Sequence, residues 1–211
     1  MMMSMRKLLR SCTGGSAAEF ALVLPVLTMF LLGMVDVGRL MWTWNQAEKA
    51  TQMGARYAAV TDFVVPGIAS QSFVGQSGLT QGDRIPASAY GITTCSKPST
   101  TVTCSCTGTC PWGASPAAAT GSPDPFTRIA TRMRYFFPAA SPDKVVVQYG
   151  PTDLGFAGDP NGADAAPLVT VSLQNIMFTP FLFQLFPFSG INLPDFRASL
   201  TLEDGAGTES N

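Results

Sequence analysis

Residues Gly14 to Val60 form one long uninterrupted pattern, in which a membrane-length apolar run passes directly into a polar helical sequence. From Phe20 to Val35 the only side chain able to hydrogen-bond is Thr28. With Ala17 and Ala18 the apolar span reaches the roughly 17 to 25 residues that a bilayer-crossing helix needs. A single acid, Glu19, stands at its start. A chain that carries such a segment has to place it in lipid or cover it.

The flanking charges set the direction. Met1 to Gly14 contains Arg6, Lys7 and Arg10 and no acid, whereas the far side opens with Asp36 and Arg39. The positive-inside rule therefore puts the N-terminus in the cytoplasm and the bulk of the chain outside. A secretory signal would be cut at small residues after its apolar run. Here the run is followed by Asp-Val-Gly-Arg-Leu-Met-Trp, and the small residues Gly14-Gly15-Ser16-Ala17-Ala18 come before it.

A basic leader, a glycine, a Glu five residues on, an aromatic residue and a long apolar helix resemble a type IV prepilin. The phrase SAAEFALVLPVLTMFLLGMVDVGRL, followed by QAEKATQMGARYAA at Gln46 to Ala59, is similar to the N-terminal signature of TadE-like (tight adherence) pseudopilins. The resemblance implies that prepilin peptidase cuts between Gly14 and Gly15, making Glu19 the fifth residue of the mature chain. It also implies that Glu19, with Phe20 beside it, takes part in assembly by meeting the N-terminal amine of a neighbouring subunit. Partners implied are the peptidase, other pilin-like subunits, the assembly platform proteins and the lipid bilayer.

Physical chemistry gives an independent reason for a partner. A carboxylate in an apolar helix costs about 2.5 to 3.5 kcal/mol on insertion scales, and less near the interface. A solvated Glu19 at headgroup level is the plainer alternative. Pro25 removes a backbone donor and is expected to kink the helix, and Gly33 lets another helix approach closely. Both residue types are also common in membrane helices without such roles.

Beyond Val35 the helical period continues. Val37, Leu40, Met41, Trp44, Ala47, Thr51, Gly54 and Ala58 form an apolar stripe opposite Arg39, Asn45, Glu48, Lys49, Gln52 and Arg56. Trp42, Trp44 and Arg39 stand where interfacial anchors are expected. The spacing predicts one helix from Ser16 to Val60, about 65 to 70 Å long at 1.5 Å per residue. Its outer half is a spine for a further domain.

After Asp62 the composition turns to Gly, Ser, Thr and Pro, and Pro66-Gly67 is expected to stop the helix. Gln71 to Gly91 has weak strand signals. Cys95, Cys104, Cys106 and Cys110 follow in a Thr-rich stretch, whose spacing lacks the paired C-x2-C of zinc sites. An oxidising compartment favours two disulfides stapling a loop, with three connectivities open. The fifth cysteine, Cys12, lies in the leader.

Asp124 before Pro125 is a cap with proline at the first helical position. Phe126, Ile129, Ala130, Met133, Phe136 and Phe137 then keep helical spacing, with Arg128, Arg132 and Arg134 on a solvated face. Lys144 to Tyr149, Leu168 to Leu173 and Phe196 to Leu202 read as strands. Asp153, Asp159, Asn161 and Asp164 lie in a Gly-rich loop that departs from the EF-hand pattern and reads as a solvated acidic turn rather than a calcium site. Ile176 to Phe188 is strongly apolar but broken by Pro180 and Pro187. It is expected to serve as core or subunit contact rather than lie on lipid. The tail is polar.

The expected architecture is α+β: a long N-terminal transmembrane helix continuing into an amphipathic spine, packed on a small antiparallel sheet with one further short helix. Its parts are a leader over 1–14, a membrane segment over 15–35, the helix extension over 36–60, an outer periplasmic domain over 61–203 and a tail over 204–211. With 211 residues, 13% of them charged and a net charge of -1, the chain lacks the basic surface of a nucleic-acid binder. It has no histidine, which removes His-based triads and His-ligated metal centres, and it shows neither a phosphate-cradling glycine loop nor a G-x-S-x-G elbow. The expectation is a non-enzymatic protein without metal or other cofactor. It would be single-pass in the bacterial inner membrane and would assist or prime assembly of a tight-adherence type IV pilus. The alternative is a permanently anchored extracytoplasmic binding module that is never processed.

Overall fold

A computed structural model describes residues 15–160, 162–181 and 190–202. Residues 1–14, Asn161, residues 182–189, which include the end of the apolar stretch, and residues 203–211 lie outside the described residues. Helix α1 runs Gly15–Val60, 46 residues long, and is continuous through Pro25 and Gly33. Thr28 donates to the Leu24 carbonyl at 2.8 Å, a bond that hides its hydroxyl along the helix. At the other end Thr61 donates to the Tyr57 carbonyl at 2.7 Å and closes the last turn.

The chain divides into two compact units. One contains residues 15–42 of α1 together with residues 178–181 and 190–191. In it, the apolar residues of α1 are exposed, with Leu22 at 77% and Val26 at 68%. Residues 20–31 are all exposed and, Thr28 aside, present hydrocarbon all round, as a lipid-facing helix does.

The second unit holds the rest of α1 and the α+β domain. Its main sheet has the order β2-β1-β3-β4-β7, antiparallel throughout, with β1 Ile92–Ser96, β2 Thr103–Thr107, β3 Val145–Gly150, β4 Leu168–Leu173 and β7 Phe196–Thr201. β5 Met177–Phe178 and β6 Ile191–Asn192 form a separate pair. Period-two alternation buries Val145, Val147 and Tyr149 on β3, and Val169 and Val171 on β4. Helix α3, Pro125–Phe136, starts at Asp124, whose carboxylate accepts the Thr127 N–H at 2.7 Å, and it buries Phe126, Ile129, Ala130 and Met133. Gly54 of α1 lets these layers meet. A Cβ there would stand 2.7 Å from Met133 Cγ and 3.2 Å from Val171 Cγ1.

Four sequence expectations change. The apolar stripe of α1 is rotated: Ala47, Thr51, Gly54 and Ala58 are buried, but Val37 and Met41 are exposed at 57% and 59%. The inward line instead runs back through Leu40 to Asp36, because that series keeps three- and four-residue steps and Val37 and Met41 lie one residue off it. Pro66 does not stop α1, which ends six residues earlier. It opens the short helix α2, Pro66–Ser70. Gln71 to Gly91 forms turns rather than strands, since Gly75, Gly78 and Gly82 take φ near +80 to +90° and interrupt any ladder. These turns wrap a second small core of Phe73, Ile85, Tyr90, Ala157 and Ala165.

The fourth change concerns the cysteines. The Thr-rich stretch is not a loop but the β1–β2 hairpin, in which Cys95 stands directly opposite Cys104. Their side chains are bonded, and Cys106 bonds Cys110 across the turn that follows. β-branched threonines suit a pleated strand even without apolar alternation.

Candidate functional site

The segment the resemblance singles out begins at Gly15, the first described residue, while Gly14 of the expected cleavage pair lies outside the described residues. Glu19 and Phe20 sit in the first turns of α1 and are exposed, Phe20 at 64%. Among the described residues Glu19 has neither an ion pair nor a hydrogen bond. Pro25 is exposed and Gly33 half-buried. α1 therefore carries a carboxylate at the head of an apolar surface, with nothing among the described residues to neutralise it.

A second cluster stands at the other end of the apolar run. Asp36 is only 6% exposed. Its Oδ1 accepts the Phe181 backbone N–H at 2.8 Å and Arg39 Nη1 at 3.2 Å. The Arg39 guanidinium lies 3.9 Å from the centre of the Phe181 ring and 5.5 Å from that of Phe178, a cation–π arrangement. Sequence reasoning used Asp36 only as a flanking charge and placed Arg39 on the polar face as an interfacial anchor. The available signal was an acid in register with the buried line of the helix.

Trp42 is 66% exposed, as an interfacial anchor would be. Trp44 is not such an anchor. It packs edge-on against Phe196 at 5.0 Å, and its indole N–H donates to Glu48 at 2.7 Å.

In the α+β domain a groove of about 880 Å³ lies between the Asp62 to Ala69 turn, the 119–125 segment and α3. Arg128 pairs with Asp62 at 2.8 Å, and Arg132 and Tyr135 lie along the same wall. Two of the three arginines read as a solvated face thus border a concavity, and the Nε atoms of Arg128 and Arg132 are buried without a partner among the described residues. Asp124 belongs to the frame of this helix. Burial opposes its charge, but the Thr127 N–H and hydroxyl, and then Lys97 at 3.0 Å, hold its carboxyl below the usual range.

In the acidic loop Asp153 is exposed and Asp159 half-buried, as in a solvated turn, whereas Asp164 is buried. Asp164 is 7% exposed and accepts the Phe73 N–H at 2.7 Å and the Asp159 N–H at 3.2 Å. Asp153 accepts the Ala87 N–H at 2.9 Å. These carboxylates clip separate turns together, and no group of three metal-ligating side chains occurs among the described residues.

No curated protein and no solved structure matches the chain. The family model of TadE-like proteins matches residues 14–56, which contain Gly14, Gly15, Glu19, the apolar run and the Asp36–Arg39 pair. Over this N-terminal segment the chain is similar to TadE-like proteins.

Proposed function

We propose that the protein is a pseudopilin of a tight-adherence type IV pilus, anchored in the inner membrane with its domain in the periplasm, which assists or primes filament assembly through α1. One observation carries the reading: the helix Gly15–Val60 contains an apolar run of membrane length, exposes its apolar side chains and holds in its first turns a Glu19 with no partner among the described residues. Such a helix is stable in lipid or among other helices like it. The free amine that cleavage would create at Gly15 supplies the missing partner for Glu19 on a neighbouring subunit. The role needs no catalysis, and the chain lacks histidine altogether.

The test is the intact mass and N-terminal sequence of the protein from cells with and without prepilin peptidase. A mature chain beginning at Gly15 only when the peptidase is present supports the reading. A chain that keeps residues 1–14 in both strains overturns it and leaves the permanently anchored binding module. In that case the groove beside Arg132 is the first place to seek a ligand.

A further inference from the structure

If α1 spans the bilayer, its residues mark depth. The apolar run ends at Val35, Asp36 follows directly, and Arg39 lies about 4.5 Å further along the axis. Headgroups add roughly 5 to 8 Å on each side of the hydrocarbon, so this pair stands within the outer interfacial layer. The Asp36 carboxylate binds the main chain of Phe181 at that same level. A bond to a backbone N–H holds the main chain of Phe181 at this level.

We propose that Phe181 and Ile191 make a second membrane contact at the outer lipid surface, with Phe181 tethered there by Asp36. Phe181 and Ile191 are 45% and 44% exposed, and they belong to the same unit as the apolar surface of α1. Asp36 and Arg39 neutralise one another, and Arg39 keeps 40% of its side chain exposed while its guanidinium covers the Phe181 ring. This suits a cation that reaches from an apolar edge towards headgroups. Trp42, one to two turns further on, is exposed at a height where indoles favour the interface. Lipid is therefore the occupant proposed for Phe181 and Ile191, rather than another subunit.

The inference rests on the membrane-spanning reading of α1, so the experiment tests both separately. The full chain carrying Cys12→Ser is reconstituted in phosphatidylglycerol–phosphatidylethanolamine vesicles with a single spin label introduced at Leu27→Cys, Phe181→Cys, Ile191→Cys or Asp143→Cys. Collisions with oxygen and with a water-soluble nickel chelate are then compared. Leu27 is in the apolar run, and Asp143 is an exposed reference in the outer domain. Labels at 27, 181 and 191 should all favour oxygen over nickel, while 143 favours nickel. Adding Asp36→Ala should shift 181 towards nickel and leave 27 unchanged.

If 27 is lipid-like but 181 and 191 behave like 143, the tethered contact is wrong while the membrane span stands. If 181 and 191 collide with neither reagent, protein covers them and the lipid assignment is again overturned. A nickel-accessible 27 removes the span and the inference together.

Discussion

At the scale of single residues, polar atoms with one buried partner decide how firmly the outer domain is held. Tyr149 is fully buried, burial pushes its hydroxyl far above the usual phenol range, and it accepts the Val64 N–H at 3.0 Å. Tyr149→Phe leaves that amide buried without an acceptor, which costs about 1 to 3 kcal/mol, so thermal unfolding of the purified protein should shift downward. Asp124 has a different signature. Its folded carboxyl titrates below the unfolded value of about 3.9. Its contribution is therefore fully present above that value and is lost as pH falls through the folded pKa. Asp124→Ala should cost about 0.5 to 2 kcal/mol near neutral pH as a lost cap. Asp124→Asn should keep most of the cap and flatten the fall in melting temperature below about pH 4.

The elements differ in how plainly the sequence announced them. Helix α1, helix α3 and strands β3, β4 and β7 were legible because each repeats apolar residues at its own period, or opens with an unambiguous cap such as Asp124-Pro125. The β1–β2 hairpin was not, since its strands alternate Thr, Ser and Cys, and only the pairing of Cys95 with Cys104 fixes its register. The inward face of α1 near Asp36 was missed for a related reason. A buried carboxylate has to be satisfied by a group distant in sequence, here the Phe181 N–H, which no local period reveals.

Gly54 shows what the element level adds. Gly54→Leu would drive a side chain into Met133 and Val171 and should destabilise by about 1 to 3 kcal/mol. Gly38→Ala meets nothing within 4 Å in the same helix and should gain up to about 1 kcal/mol of helix propensity. Paired chemical unfolding curves of the two variants separate packing from propensity.

For the whole molecule, the question is what completes α1. Its apolar surface is exposed, and Glu19 has no partner among the described residues. Lipid can satisfy the surface, but a carboxylate near hydrocarbon still carries a cost of about 2.5 to 3.5 kcal/mol unless it lies shallow or is paired. Pairing that removes this cost changes an association constant on the order of a hundredfold. The two readings of the protein therefore respond in opposite ways to Glu19→Ala. In a pseudopilin the substitution should leave cleavage after Gly14 and membrane insertion intact, because Glu19 lies beyond the cut and alanine favours the helix. It should also strongly reduce co-isolation with other pilin-like subunits and the number of pili per cell seen by electron microscopy. An anchored binding module makes no use of the charge and should insert equally well or better, with no effect on filaments. Counting pili in cells carrying Glu19→Ala, with processing checked by mass in the same cells, separates assembly from anchoring: normal processing with normal filaments would show that α1 holds the domain at the membrane and does nothing more.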